Sequence, residues 1–404
     1  MFLSLFLILT LGVLGGLIFH KLHIPKLVWY IILGILMSPS VLNLADESLI
    51  NISSYLRQIA LVIILTRSGL SLDFATLKKI GRPAILMCFV PATFEIIGVT
   101  LFGPLLLGIN YFEAMLLGSV LAAVSPAIVV PRMIKLMDEN YGNKHHVAEV
   151  VLAGASCDDI FVIVLFYSFK NLVATSTLDV LSIGLIPVSI ILGIILGLLA
   201  GVLFVLMMKY LKLSSVINVI LMLGISFGML YLEEVLKPYC PISSLLAIIV
   251  MTLLIYKRRP EESKEIKNHY NALWNIFEIL LFALVGIALD IKYAFSETGG
   301  IILGLILISL AFRTLGVIVS LLFTKYNIKE KIFIIFSYIP KATVQASIGA
   351  IALSEGLACG EIVLTAAIIS ILFTAPLGAF LIDLSYKKLL KKDEPLDEIE
   401  LTSY

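Results

Sequence analysis

Two aspartates stand side by side in "VLAGASCDDIFVIVLFY" (151–167), a run with no cation to offset them. A carboxylate is costly in an apolar medium, and no stability argument calls for two together. Asp158 and Asp159 are therefore candidates for function rather than structure. Successive helix residues project about 100° apart. The two cannot face one spot: one can line a cavity while the other turns toward a neighbouring helix. In a buried pair, protons come and go as a property of both groups, and at least one should exchange near physiological pH. A hard cation such as Na+ or Li+ competes for the same oxygens. Such a pair suits a site that holds either protons or a cation.

Other ionisable residues lie at similar depth in other apolar stretches. Glu95 sits in "VPATFEIIGVTLF", Arg313 in "ISLAFRTLGVIV" and Lys341 in "YIPKATVQASIGAI". Glu278, in "NIFEILLFALVG", falls nearer one end of its run. Glu95 and Arg313 are expected to form an ion pair between packed helices. Lys341 is expected to offset the negative carbonyl ends of half-helices. Arg67, near the end of its run, is expected to snorkel to the headgroups.

Helix breakers occur at the same depth. In "GSVLAAVSPAIVVPRM", Pro126 lacks a backbone donor and pushes Ser125 away from helical geometry. Pro340 directly precedes Lys341. One proline alone is as readily a simple kink. Interrupted helices in matching halves of a chain, however, point to a binding site at the bilayer midplane.

These residues need elements to carry them. The chain is 60% hydrophobic and only 14% charged, with a mean hydropathy of +1.08. A water-soluble protein of this length could not hide that much apolar surface. Thirteen stretches can serve as spans, at about 2–20, 27–45, 55–72, 83–108, 111–133, 146–169, 180–208, 214–236, 240–256, 270–291, 299–324, 331–353 and 360–385. The longest polar connection is "YKRRPEESKEIKNHYN". Of the 29 basic residues, 22 fall in connections after odd-numbered stretches, at the edges of those connections (Arg132 and Lys331) or in the C-terminal tail. Lys78, Lys79 and the cluster Lys257, Arg258, Arg259 are among them; Lys170, Lys237 and Lys292 alone follow even-numbered ones. By the positive-inside rule the N-terminus is expected outside and the C-terminus inside. The net charge of +1 gives no sign of a nucleic-acid partner. The four scattered cysteines suggest neither a zinc site nor a disulfide framework, and Cys157 reads as a space-filler.

Several stretches, in order, resemble the monovalent cation:proton antiporter superfamily, most nearly its NHA-type sodium/proton antiporters. They are "LTRSGLSLD" (65–73), "AAVSPAIVVPRM" (122–133), "GASCDDI" (154–160), "LFALVGIALDI" (281–291) and "KEKIFIIFSYIPKATVQASIG" (329–349). The resemblance implies an all-α integral membrane fold of about thirteen transmembrane helices, with two inverted three-helix core repeats and crossed broken helices. It implies a core beside a dimerisation domain, elevator-like alternating access and a homodimer. It implies Asp159 as the main cation and proton ligand, supported by Asp158, Ser125 and the backbone near Val124. It implies a Glu95–Arg313 pair, with Lys341 compensating the dipoles of helices broken at Pro126 and Pro340. Arginine keeps its proton, so Arg313 is not expected to carry a transported one.

The expected organisation is 1–82 dimerisation-side helices, 83–178 first core repeat, 179–298 further dimerisation-side helices with a linker helix, 299–386 second core repeat, and 387–404 a cytoplasmic tail. The expected function is exchange of Na+ or Li+ for H+ across the plasma membrane, without enzyme activity or a cofactor. Alternatives are a sodium-coupled solute symporter and a K+/H+ antiporter on a similar fold, and a channel. An intramembrane aspartyl protease is disfavoured because its two aspartates come from different helices. His145 and His146, at the start of the aspartate-bearing stretch, are either pH sensors or simply solvated.

Overall fold

The computed structural model describes residues 1–70, 80–175, 180–236, 240 and 242–393. The expectations placed on Lys78, Lys79, Lys237 and the tail beyond Asp393 lie outside the described residues. Apart from one isolated bridge, Tyr141 with Lys392, the described residues form no strand.

The helices in chain order are α1 Phe2–Lys21, α2 Lys26–Met37, α3 Glu47–Gly69, α4 Arg82–Met87, α5 Val90–Leu107, α6 Tyr111–Leu121, α7 Pro126–Asp138, α8 Val147–Thr175 and α9 Val180–Leu211. They continue with α10 Ser215–Leu236, α11 Ser244–Arg258, α12 Pro260–Ile287, α13 Ile291–Ala294, α14 Glu297–Ser320, α15 Ile328–Ser337, α16 Thr343–Ile348, α17 Ile351–Ser354 and α18 Gly360–Leu389. Ten stretches among the described residues are long and apolar enough to cross a membrane. This is a multi-pass, all-helical membrane protein.

The other three expected spans fall on shorter or interrupted pieces. The stretch 27–45 gives only the 12 residues of α2, because Pro39 cannot extend the helix. At 1.5 Å per residue that is about 18 Å, short of a bilayer core. The stretch 240–256 gives the 15 residues of α11, and 331–353 is divided among α15, α16 and α17. The polar connection 256–271 is mostly helical instead of loop: Pro260 begins α12, with Glu261 and Glu262 in its first turn. Proline at a first helical position and acids near the N-terminus both favour that start.

The packing separates two groups. α5 lies along α14, α6 and α7 lie along α8, and α18 covers α14 and α15. In the other group α12 packs on α2 and α3, and α11 on α9 and α3. Between the groups, α16 touches α3 and α12, and α18 touches α2.

Both interrupted helices open alike. Asn110 caps α6 in a reciprocal box with Glu113, and Asn327 caps α15 with Glu330. Each helix then stops short of a proline. α6 ends at Leu121, and α7 resumes at Pro126 after extended backbone at Ser125. α15 ends at Ser337, and α16 starts at Thr343 beyond Pro340. The two gaps touch: the Ser125 N–H donates to the Pro340 carbonyl at 2.8 Å. Pro340 in turn packs on Gly378 of α18, where any side chain would collide with its ring.

Candidate functional site

The buried charges foreseen along the chain meet at this crossing. Arg313 comes from α14, Glu95 from α5, Lys341 from the second gap, and Asp158 and Asp159 from α8. All five are buried. Arg313 Nη1 donates to Glu95 Oε2 at 2.8 Å, and Nη2 donates to Asp158 Oδ2 at 2.8 Å. Lys341 Nζ donates to Glu95 Oε1 at 2.6 Å, an oxygen that also takes the Ser309 hydroxyl at 2.9 Å. The expected Glu95–Arg313 pair is therefore present within a larger set: Asp158, Arg313, Glu95 and Lys341 form a line of alternating charge. A planar guanidinium suits this role because its donors fork toward two carboxylates at once.

A broken helix leaves carbonyls without partners. Here three consecutive ones are met by side chains. Lys341 Nζ donates to Leu121 O, Arg313 Nη1 to Ala122 O, and Gln345 Nε2 to Ala123 O at 2.9 Å. Arg313 Nε also reaches the second gap, donating to Tyr338 O at 2.8 Å, with its guanidinium 5.4 Å from the Tyr338 ring centre. The Lys341 N–H donates to Thr374 Oγ1 at 2.9 Å. On the donor side of the first gap, the Val124 N–H donates to Asp158 Oδ2 at 2.9 Å.

Asp159 stands apart from this network. Its Oδ1 is buried and has no hydrogen-bond partner, as do Asp158 Oδ1, Ser125 Oγ, Thr343 Oγ1 and Gln345 Oε1. Arg67 and Arg313 are cations whose fields reach Asp159. The Ser125 hydroxyl makes no capping bond to α7, although Ser125 is its N-cap residue. Buried polar atoms without partners are rare, and each needs an explanation. Oxygens are the ligands a hard monovalent cation takes on losing its water.

Residues 6–383 match the family described as sodium/hydrogen exchanger, transmembrane. The chain belongs to the sodium/hydrogen exchanger family. It is similar to sodium/hydrogen exchanger 9B2 of Mus musculus, 32% identical over 360 residues, and to that of Homo sapiens, 34% identical over 352 residues. Those matches cover 86% and 85% of this chain and 65% of each relative, so the chain spans just under two thirds of their length. The fold is similar to that of the sodium proton antiporter MjNhaP1 from Methanocaldococcus jannaschii at pH 8. The TM-score is 0.80 at 21% identity, covering 95% of this chain and 97% of that one.

Some residues of this exchanger-family chain sit differently from expectation. The Arg67 guanidinium lies 5.2 Å from the centre of the Trp274 ring, a cation–π contact. Glu278, half-buried, accepts a hydrogen bond from the Trp274 side chain. His145 and His146 are not merely solvated. Their Nδ1 atoms lie 2.8 Å from Glu330 Oε1 and 3.0 Å from Glu149 Oε1. The first of these contacts joins the start of α8 to the capping box of α15. Sequence reasoning missed Gln345, Ser309, Thr343 and Thr374, whose neutral polar side chains resemble many others in a membrane helix.

Proposed function

We propose that this chain is a secondary active transporter, not an enzyme, that exchanges Na+ or Li+ for H+ through Asp159. The observation that carries the reading is the contrast within the aspartate pair. Asp158 has Arg313 and the Val124 N–H on one oxygen, whereas Asp159 Oδ1 is buried and unpartnered. Arginine does not release its proton, so Asp158 keeps a permanent counter-charge. Glu95 is likewise held by Arg313 and Lys341. The exchanging charge is then left to Asp159, which is neutralised by a proton or by a cation but not by both. Asp158, Ser125 and the backbone at Val124 line the same site. Lys341 offsets the carbonyl end of α6, and Pro126 and Pro340 hold the two gaps open. No resident cofactor is needed, since the cation and the proton are the cargo.

The wider reading follows from the same arrangement. Residues 83–178 and 299–386 form two inverted core repeats, a view supported by their matching Asn-x-x-Glu boxes and prolines. Residues 1–82 and 179–298 form the dimerisation side, and the tail from 387 is cytoplasmic. The chain lies in the plasma membrane with its N-terminus outside. It works as a homodimer, and the core moves against the other group in elevator fashion to alternate access. The sparse contacts between the two packed groups suit such movement.

The test is proton movement in proteoliposomes carrying an internal pH dye, with Na+, Li+ and K+ added separately. Na+- or Li+-driven movement that vanishes in Asp159→Asn is expected. A folded wild type that moves no protons with any of the three overturns the reading. K+ as the sole active cation would assign it to K+/H+ exchange.

A further inference from the structure

We infer that Gln345 belongs to the cation site, its amide nitrogen fixing the peptide that positions Asp158 and its amide oxygen serving as a neutral ligand to the passing cation. The inference rests on the exchange reading and deepens it.

The argument begins with one peptide unit. The Ala123 carbonyl and the Val124 N–H belong to the same planar amide and point in opposite directions. Gln345 Nε2 donates to that carbonyl at 2.9 Å, and Asp158 Oδ2 accepts from that N–H at 2.9 Å. Gln345 and Asp158 thus hold the two ends of a single peptide. A donor on the carbonyl polarises the amide and strengthens the N–H as a donor. It also pins an extended segment that no helical hydrogen bond restrains.

The orientation of the Gln345 amide follows from its surroundings. A side-chain amide has one donor end and one acceptor end, assigned from the network around it. Nε2 faces two backbone carbonyls, Ala123 O at 2.9 Å and Leu121 O at 3.5 Å. Reversing the amide would set oxygen against both carbonyls. Oε1 must therefore point elsewhere, and there it finds no donor, although Gln345 is fully buried. Two residues tied to this peptide, Asp158 and Ser125, also carry unpartnered oxygens, and so does Thr343, two positions away on the same short helix. A neutral oxygen at a cation site contributes affinity without adding charge, which affects the choice between Na+ and Li+ by ligand number and field strength.

The experiment compares the full-length wild type with Gln345→Met and Gln345→Asn in proteoliposomes. Apparent KM and maximal rate are measured for Na+ and Li+ at several pH values. Gln345→Met keeps length and volume but removes both ends of the amide. It is expected to raise KM for both cations about tenfold and to change the Na+/Li+ ratio. Gln345→Asn keeps the amide but not the reach, and should fall between. A purely structural role would lower the maximal rate and leave KM and the ratio unchanged; that result overturns the inference, as do wild-type kinetics in both variants. If Gln345→Met does not fold, the rise of the unfolding midpoint with added Na+ is compared between Gln345→Asn and wild type. A smaller rise in the variant supports the inference and an equal one overturns it. An inert wild type overturns the exchange reading and this inference with it, whereas an active wild type with unaltered variants overturns only the role of Gln345.

Discussion

Arg313 Nη2 donates to Asp158 at 2.8 Å, on the very oxygen that takes the Val124 N–H. The neighbouring carboxylate has no such pairing on its Oδ1. Two adjacent residues of one type therefore have different surroundings, and substitution should separate them. Asp159→Asn is expected to abolish cation-driven proton movement while leaving the unfolding midpoint unchanged or higher, because its Oδ1 has no hydrogen bond to lose. Asp158→Asn is expected to lower that midpoint, since it leaves the Arg313 guanidinium short of a counter-charge, a loss of about 3–5 kcal/mol for a buried pair. Equal midpoints for the two variants would contradict this division.

Arg313→Lys tests geometry at constant charge. Four acceptors surround the guanidinium: Glu95, Asp158, Ala122 O and Tyr338 O. An ammonium has three donors on a point and cannot span them. The variant should fold with a lower midpoint and lose most of its exchange rate. Near-wild-type rates with lysine would mean that charge alone is required.

The balance around Glu95 gives a cycle. Lys341 and Arg313 each donate to one of its oxygens. Removing one member of a buried pair should cost about 3–5 kcal/mol, whereas removing both costs less than the sum. Purified Lys341→Gln is thus expected to be clearly destabilised, and adding Glu95→Gln to recover part of the loss. Additive midpoint shifts would show that the two do not interact in the folded protein.

Gly154 lies one turn before Asp158, and a methyl group there would land on the Tyr338 hydroxyl and come within 3.2 Å of its ring carbon Cζ. Gly154→Ala is expected to destabilise the protein by about 1–3 kcal/mol through overpacking. It should also slow exchange, because Tyr338 holds Arg313 through its carbonyl. Adding Tyr338→Phe removes the tightest clash, leaving Met87 Cβ at 2.9 Å, and should restore part of both losses. No rescue by the double variant would place the strain elsewhere.

The parts of this arrangement differ in how plainly the sequence announces them. Asp158, Asp159, Glu95, Arg313 and Lys341 stand out because an ionisable group in an apolar run is costly and therefore rare. Pro126 and Pro340 mark the gaps because proline has no N–H to give. Gln345 does not stand out in "ATVQASIG", since its importance comes from where Ala123 lies, more than two hundred positions earlier. The stacking of Arg67 on Trp274 was hidden for the same reason. The end of α2 and the early start of α12 were readable at Pro39 and Pro260, but hydropathy alone runs past both. The strings "NYFE" and "NIKE" carry the paired capping boxes openly, and capping-box spacing is the signal that could have found them.

The bond between the two gaps, Ser125 N–H to Pro340 carbonyl, is made entirely of main-chain atoms. Point mutation at nearly any position leaves such a bond chemically available, for every residue type carries the carbonyl and all but proline carry the N–H. The crossing itself is therefore less exposed to mutational drift than the side-chain network that converges on it. Relatives that diverge in their side chains could therefore keep the same meeting of two broken helices.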